Sequence, residues 1–328
     1  MIRRTPKWLW ATLLVPLLAL SACSSANGVN NAPKAGGGGS GGYGYKIAMV
    51  THGGAGDAFW SVVKGGAQQG GKDMGDDVNY QSSGDPTAQS QLIDAAVNQK
   101  PDGLIVSMAN PQALKASVEK AVAAGIPVIT INAGGAESKA YGALSHIGSD
   151  DKVAGEAVGT QLKTQGAKNV ICVIHEAGNV SLENRCAGVK STLGGMVTNL
   201  QVDVNNLPAA GATLKAKLQA DKSIDGVVTL NAQVATAAES AISDTSSSAK
   251  LATFDLNADV AKAVLDGKIT FAVDQQPYLQ GYLAVVMLTQ YKSNLNVLGG
   301  GMSVLTGPQL ITKDNAAAVI KLAAGGTR

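Results

Sequence analysis

Aromatic residues are scarce in this chain of 328 residues, at 4% Phe, Trp and Tyr against 45% hydrophobic. The core must therefore be built from Ala, Val, Ile and Leu, the mix of helices packed on a central sheet rather than of an aromatic-rich β-sandwich. Charge is scarce as well, at 15% of residues with a formal net of +2. No run of Lys or Arg is long enough to neutralise a phosphate backbone, so no nucleic-acid partner is expected. Three cysteines are too few for a disulfide miniprotein, and they lack the paired Cys or His neighbours of a zinc site, so no metal is expected. Three histidines leave little material for a Ser-His-Asp triad or a metal hydrolase. The apolar stretch Trp8–Leu20, interrupted by Pro16, is too short to stay in a bilayer as a span.

What that stretch does instead is set by its flanks. Arg3, Arg4 and Lys7 precede it and Leu20-Ser21-Ala22-Cys23 follow it, the pattern of a signal peptide over residues 1–22 that ends in a bacterial lipobox, with Cys23 receiving lipid. The Arg3-Arg4 pair hints at twin-arginine export, but Pro6 stands where that pattern wants an apolar run. Cleavage removes three of the 26 basic side chains and none of the 24 acidic ones, leaving a nearly neutral protein. Residues 23–44, with the run Gly36-Gly37-Gly38-Gly39-Ser40-Gly41-Gly42, read as a flexible tether of roughly 25 Å root-mean-square span for about twenty Gly/Ser-rich residues. Cys172 and Cys186 remain. An exported location favours a disulfide between them over two buried thiols, though spacing alone does not bring their Cβ atoms together.

From Tyr45 onward short β-branched runs alternate with helical patterns. The strand candidates are Lys46–Thr51, Val78–Gln81, Gly103–Ser107, Val128–Asn132, Asn169–Ile174, Val202–Asn205, Gly226–Leu230, Leu251–Phe254 and Thr270–Val273. Strands separated by helices mean parallel sheets. Asp85-Pro86 and Asn110-Pro111 each open a helix with a cap and a proline in the first turn; Leu92, Ile93, Ala96 and Val97 mark the buried face of one, and Leu114, Val118, Ala121 and Val122 that of the other, which stops at Gly125. The pattern repeats on both sides of residue 148, which predicts an α/β chain of two Rossmann-like lobes rather than one continuous sheet.

Ligands of open parallel sheets lie beyond the carboxyl ends of the strands. Those positions hold His52 to Trp60, Asn110, Asn132, His175 to Arg185, Asn231, Asp255 and Asp274-Gln275-Gln276, a polar, amide-rich set with Phe59, Trp60 and Phe254 at its edge. Gly54-Ala55-Gly56-Asp57-Ala58-Phe59 lacks the third glycine of the dinucleotide fingerprint, and no Gly-Lys-Ser/Thr phosphate loop exists. His175-Glu176 fails as a zinc helix because position 179 is Asn, and Ser181 lacks the glycines of a nucleophile elbow. Asp57 and Asp255 remain a conceivable carboxylate pair for a glycoside-processing enzyme. The inventory fits better with a neutral polyhydroxylated ligand, whose dense hydroxyls call for Asp, Asn, Gln and Arg and whose C–H faces call for an aromatic plate. For Phe59 and Trp60 the competing role is core packing, for Asp57 and Asn110 helix capping, and for Arg185 a surface ion pair with Glu183 or Glu176.

In this order along the chain, the residues from Tyr45 to the C-terminus resemble the type I periplasmic binding proteins of carbohydrate ABC transporters, the ribose-binding group. Asp57-Ala58-Phe59-Trp60 resembles the family's Asn-Pro-Phe-Phe segment, Gly125-Ile126-Pro127-Val128-Ile129-Thr130 the strand before its central ligand-binding pair, and Leu144-Ser145-His146-Ile147-Gly148-Ser149-Asp150 its first interlobe crossover. Arg185 before Gly188-Val189, then Asn231, Asp255 and Gln275, fall on its other polar contacts. One departure matters: where ribose binders carry Asp-Arg after the fourth strand, this chain has Asn132-Ala133, which points away from ribose towards another monosaccharide, a polyol or a cyclitol, with His175 and Glu176 as replacement contacts. With the lipobox, the resemblance implies a lipid-anchored, non-enzymatic, cofactor-free, monomeric binding protein outside the cell membrane, serving ABC permease subunits or acting as a sensor that presents its ligand to a receptor. His146 is expected at the hinge. The implied lobes are residues 45–147 plus 277–303, and 148–276 plus 304–328, closing on a ligand held by Asp57, Phe59, Trp60 and Asn132 from the first, Arg185, Asn231 and Asp255 from the second, and Gln275 near a crossover.

Overall fold

The computed structural model describes residues 42–54 and 56–328. The signal peptide, the lipidated Cys23 and most of the tether lie outside them. The first lobe runs β1 (Lys46–Thr51), α1 (Ala58–Met74), β2 (Asp77–Ser82), α2 (Pro86–Asn98), β3 (Gly103–Ser107), α3 (Pro111–Ala123), β4 (Val128–Ile131), the short α4 (Gly135–Ser138) and β5 (Ser145–Ser149). The chain then crosses into α5 (Asp151–Thr164), β6 (Asn169–Ile174), α6 (Val180–Leu193), β7 (Met196–Gln201), α7 (Leu207–Ala220), β8 (Gly226–Thr229), α8 (Ala232–Asp244), β9 (Lys250–Phe254), α9 (Ala258–Leu265) and β10 (Phe271–Asp274). It returns through α10 (Pro277–Asn294) and β11 (Val304–Gly307), then crosses once more to β12 (Gln309–Ile311) and α11 (Lys313–Ala324).

Two six-stranded sheets result, ordered β2-β1-β3-β4-β5-β11 and β7-β6-β8-β9-β10-β12. Every pairing is parallel except that of β12 with β10. This is the type I periplasmic-binding-protein fold: two helix-flanked lobes joined by three crossovers, at 149–150, 274–277 and 307–308. Each sheet buries both faces in aliphatic clusters, Val50, Ile93, Leu104 and Leu114 against Met49, Val63, Ile105 and Val285 in the first lobe, and Val227, Leu214, Leu251 and Val264 against Val158, Val170, Val189 and Val228 in the second, as doubly covered parallel strands require. The helix starts follow the sequence signals. Asp85 accepts from Ala88 N and Asn110 from Ala113 N, each with proline next in line.

Four expectations are corrected. The strand expected at 202–205 lies at Met196–Gln201, because pairing with β6 selects the more exposed edge segment rather than the valine pair after it. Ser145–Ser149 is itself a strand, so the first lobe extends to Ser149 and not to 147, and His146 is buried within that lobe, its Nδ1 2.9 Å from Thr130 Oγ1, rather than at the hinge. Residues 304–307 belong to the first lobe and not the second, since β11 pairs with β5. Residues 43 and 44 are not tether: their amides donate to Met74 O and Gly75 O of the first lobe.

Two helix pairs are drawn unusually close. A Cβ on Gly66 of α1 would strike Tyr278 O of α10, and one on Gly281 would strike Val63 O; in the second lobe Gly155 of α5 faces Arg185 O of α6, and Gly188 faces Lys152 O. Glycine is required at these four positions because backbone meets backbone. Cys172 on β6 and Cys186 on α6 form a disulfide with a Cα–Cα distance of 5.8 Å.

Candidate functional site

The carboxyl ends of both sheets face each other across a cavity of about 610 Å³, within the range of small-molecule sites. All ten residues expected to contact ligand line it: Asp57, Phe59, Trp60, Asn132, His175, Glu176, Arg185, Asn231, Asp255 and Gln275. They get there by one device repeated. A strand ends, a cap residue turns the chain, and a helix starts beyond the cleft. Asp57 accepts from Phe59 N at 2.9 Å to open α1, Asn179 from Ser181 N at 3.0 Å to open α6, and Asn231 from Gln233 N at 2.8 Å to open α8. Capping and lining are therefore both true of Asp57 and Asn231, whereas Asn110 only caps.

Asn132 and Asp255, each the first residue past its strand, have φ of 62° and 69°. Asn and Asp tolerate this left-handed region better than other L-residues, and strain of this kind gathers at functional positions. Both side chains meet Gln275. Asn132 Nδ2 lies 3.4 Å from Gln275 Oε1, Arg185 Nη2 donates to the same oxygen at 2.7 Å, and Gln275 Nε2 donates to Asp255 Oδ1. Gln275 thus ties Asn132 of the first lobe to Arg185 and Asp255 of the second.

Arg185 is 3% exposed. Its Nε donates to Asp151 Oδ1 at 2.8 Å, and its guanidinium lies over the Phe254 ring with 4.7 Å to the centroid. The surface ion pair with Glu183 or Glu176 is therefore replaced by a buried one with Asp151. Phe254 does not border the cavity, contrary to expectation; it is buried core under Arg185. Trp60 serves on both sides. It is 6% exposed, packs with Met49, Val63 and Ile105, and still shows an edge to the cleft, with His52 at 4.7 Å and Phe59 at 5.3 Å between ring centroids.

The lobes are closed on each other. Val180 N donates to Ala109 O at 3.0 Å and His52 Nε2 stands 3.9 Å from Glu176 Oε2, each contact joining one lobe to the other. His52, Asn179, Asp203 and Asn205 also line the cavity; the first two fall in the stretches expected after strands without being among the expected contacts, and the other two fall in the segment expected to be strand. Position after a strand was the available signal for His52, and a cap pattern for Asn179.

Burial dominates the electrostatics. It pushes the Asp255 carboxyl up to about 7, against the pull of Arg185 and the Gln275 hydrogen bond, and it raises Asp57 as well. Burial takes His175 down to about 3, helped by the charge of Arg185, and lowers His52. Both histidines are neutral at pH 7, and Arg185 is the one cation lining the cleft among the described residues. The Ser–His contact present, His52 Nδ1 to Ser107 Oγ at 2.7 Å, involves a fully buried serine outside the cavity. No group of acidic, His or Cys side chains among the described residues could hold a metal ion. The arrangement offers hydrogen bonds of both kinds and an aromatic edge, which is what a polyhydroxylated solute takes up.

Comparison with known proteins agrees with this geometry. The periplasmic binding protein domain matches residues 47–295. The chain belongs to the periplasmic binding protein family. Among solved structures, a carbohydrate transporter of Acidothermus cellulolyticus 11B in complex with myo-inositol is similar at 43% identity and a TM-score of 0.86, covering 87% of this chain and 100% of its own. The xylose/arabinose-binding protein XylF of Sulfolobus acidocaldarius is 26% identical over 73% of this chain; this periplasmic binding protein spans 64% of that relative's length. The ribose import binding protein RbsB of Haemophilus influenzae is 28% identical over 70% of this chain and 79% of its own. These relatives are binding and transport proteins, not enzymes.

Proposed function

We propose that this chain is the substrate-binding protein of an ABC importer, a monomer anchored by lipid on Cys23 outside the cell membrane, which closes its two lobes on a small neutral carbohydrate. The observation that carries this reading is the network on Gln275: one amide joins Asn132, Arg185 and Asp255 across the interlobe cavity, so groups from both lobes meet on whatever fills it. A ligand held by both lobes binds the closed state better than the open one and shifts the population towards it. The permease reads the closed form, and the tether keeps the receptor beside it.

Within the carbohydrate class a cyclitol is the first candidate. The 43%-identical relative was solved with myo-inositol, and Asn132-Ala133 in place of a charged pair gives the pocket a donor pattern different from that of a ribose binder. A thermal-shift screen over pentoses, hexoses, linear polyols and inositols tests the proposal. A ligand at 1,000 times its dissociation constant adds about 4 kcal/mol of stability, a shift of several degrees. Calorimetry on the hits then gives affinity. A protein that no member of the panel stabilises or binds is not a carbohydrate receptor.

A further inference from the structure

Behind the cleft, on the side of the crossovers, a second polar cluster surrounds the turn that carries Gln275. Asp274 ends β10 with 1% of its surface exposed. Its Oδ1 accepts from Gln276 N at 2.7 Å. Its Oδ2 lies 2.7 Å from Arg328 Nη2, an ion pair without the in-line geometry of a hydrogen bond. The same Nη2 donates to Gln309 Oε1 at 2.6 Å, and Gln309 is the register partner of Asp274 in the sheet. Gln276 has φ of 55° and donates through Nε2 to Thr306 O at 2.6 Å, while Gln280 Nε2 donates to Gln275 O at 3.1 Å. One guanidinium therefore sits where the second and third crossovers meet.

A carboxylate this buried stays ionised only with a partner. Burial pushes Asp274 up, and the Gln276 N–H and Arg328 draw it back down. The ionised carboxylate is also the stronger acceptor for the Gln276 amide, and that bond defines a turn whose backbone glutamine does not adopt readily by itself. Gln275 is the residue inside the turn. Arg328 does not line the cleft, so its influence on a ligand passes through Asp274.

We infer that Arg328 is a positioning residue for the cleft: by pairing with Asp274 it holds the Asp274–Gln276 turn in the form that presents Gln275 to the ligand and to both lobes. As far as affinity is concerned, this rests on the carbohydrate-binding reading above; the effect on the turn does not.

Three variants test it: Arg328→Ala, Arg328→Lys, and Arg328→Ala combined with Asp274→Asn. Arg328→Ala is expected to exchange the Gln276 amide hydrogen at least tenfold faster in the unliganded protein and to weaken the ligand found for the wild type at least tenfold. Arg328→Lys recovers part of both. The double variant buries no unpaired charge, but its turn stays loose and its binding weak, because the D274N amide is a weaker acceptor for Gln276 N–H than the paired carboxylate. Exchange and affinity unchanged in Arg328→Ala overturn the inference, and so does a lower melting temperature with both unchanged well below it. Where Arg328→Ala does not fold, the double variant decides: a loose turn with tenfold weaker binding supports the inference, and exchange and affinity as in the wild type overturn it. A wild type that binds no carbohydrate removes the functional reading alone, since exchange at Gln276 still decides the role of Arg328.

Discussion

Replacing Arg185 by alanine removes the cation around which the closed cleft is organised, and its consequences for folding and for binding are separable. In the unliganded protein two bonds go, Nε to Asp151 Oδ1 at 2.8 Å and Nη2 to Gln275 Oε1 at 2.7 Å. Arg185 is 3% and Asp151 11% exposed. Removing one partner of a buried pair costs about 3–5 kcal/mol. Asp151 opens α5, where a helix N-terminus returns about 0.3–1 kcal/mol to a carboxylate, so the loss of unfolding free energy should be about 3 kcal/mol. On the proposed reading binding should suffer separately, because ligand hydroxyls and Gln275 would lose a charged donor, at about 2–4 kcal/mol or roughly thirty- to several-hundredfold in Kd. Arg185 also draws down the Asp255 carboxyl, which stands at about 7; without it Asp255 rises further, and the affinity of the variant should change with pH over a more alkaline range. Urea unfolding reads the first effect and titration calorimetry the second. Stability and Kd both equal to wild type would refute the buried pair itself; reduced stability with an unchanged Kd would keep the pair and remove Arg185 from the ligand.

Asp255 makes a prediction of opposite sign for the unliganded protein. Its carboxyl is raised from 3.8 to about 7, so the stability it contributes is present at low pH and is lost as pH rises through that interval; Asp255→Asn should raise the melting temperature at pH 8 and leave it nearly unchanged at pH 4, and a larger gain at pH 4 contradicts the burial argument. Trp60→Ala empties a core position of 6% exposure and should cost about 3–5 kcal/mol without ligand as well as weakening binding. Phe59→Ala, only half-buried, should weaken binding with a much smaller loss of stability, and equal losses from the two in urea unfolding would show that Phe59 is core. Replacing Cys172 and Cys186 by serine opens a loop of sequence separation 14 and should lower stability by about 3 kcal/mol, measured against the oxidised wild type in urea; an unchanged midpoint would mean that the unfolded chain gains no freedom from its loss.

The two-lobe plan was legible because it is written locally. Caps such as Asp85-Pro86 and Asn110-Pro111 stand at the helix starts, β-branched runs stand between them, and polar residues follow the strands. Gln275, Asp255 and Asn132 could be singled out by that position alone, since an open parallel sheet directs its carboxyl ends to one place. What was missed is set by tertiary pairing. β7 reads Met-Val-Thr-Asn-Leu-Gln and is largely exposed at a sheet edge, so hydrophobicity marks it poorly. β11 and β12 are four and three residues long, and nothing within them says that one joins the first sheet and the other the second. Phe254 was placed correctly at a strand end but on the wrong side of Arg185, because in a sheet buried on both faces an apolar residue carries no mark of which side it faces. Asp151 was not recognised as the partner of Arg185, since the contact depends on α5 and α6 lying together.

The glycine contacts between α1 and α10, and between α5 and α6, decide what kind of motion this receptor can make. Helices that touch backbone to backbone have no side-chain cushion to deform, so each lobe moves as a block with its share of the cleft residues attached: Asp57 at the start of α1 in one, Asp151 at the start of α5 and Arg185 within α6 in the other. Opening then has to be taken up by the backbone dihedrals of the three crossovers. A pair of spectroscopic labels, one on each lobe and anywhere on its outer helices, should therefore report the same rotation. Cleft residues could be exchanged to suit another solute while that mechanical readout stays intact, the property wanted in a scaffold for a ligand sensor.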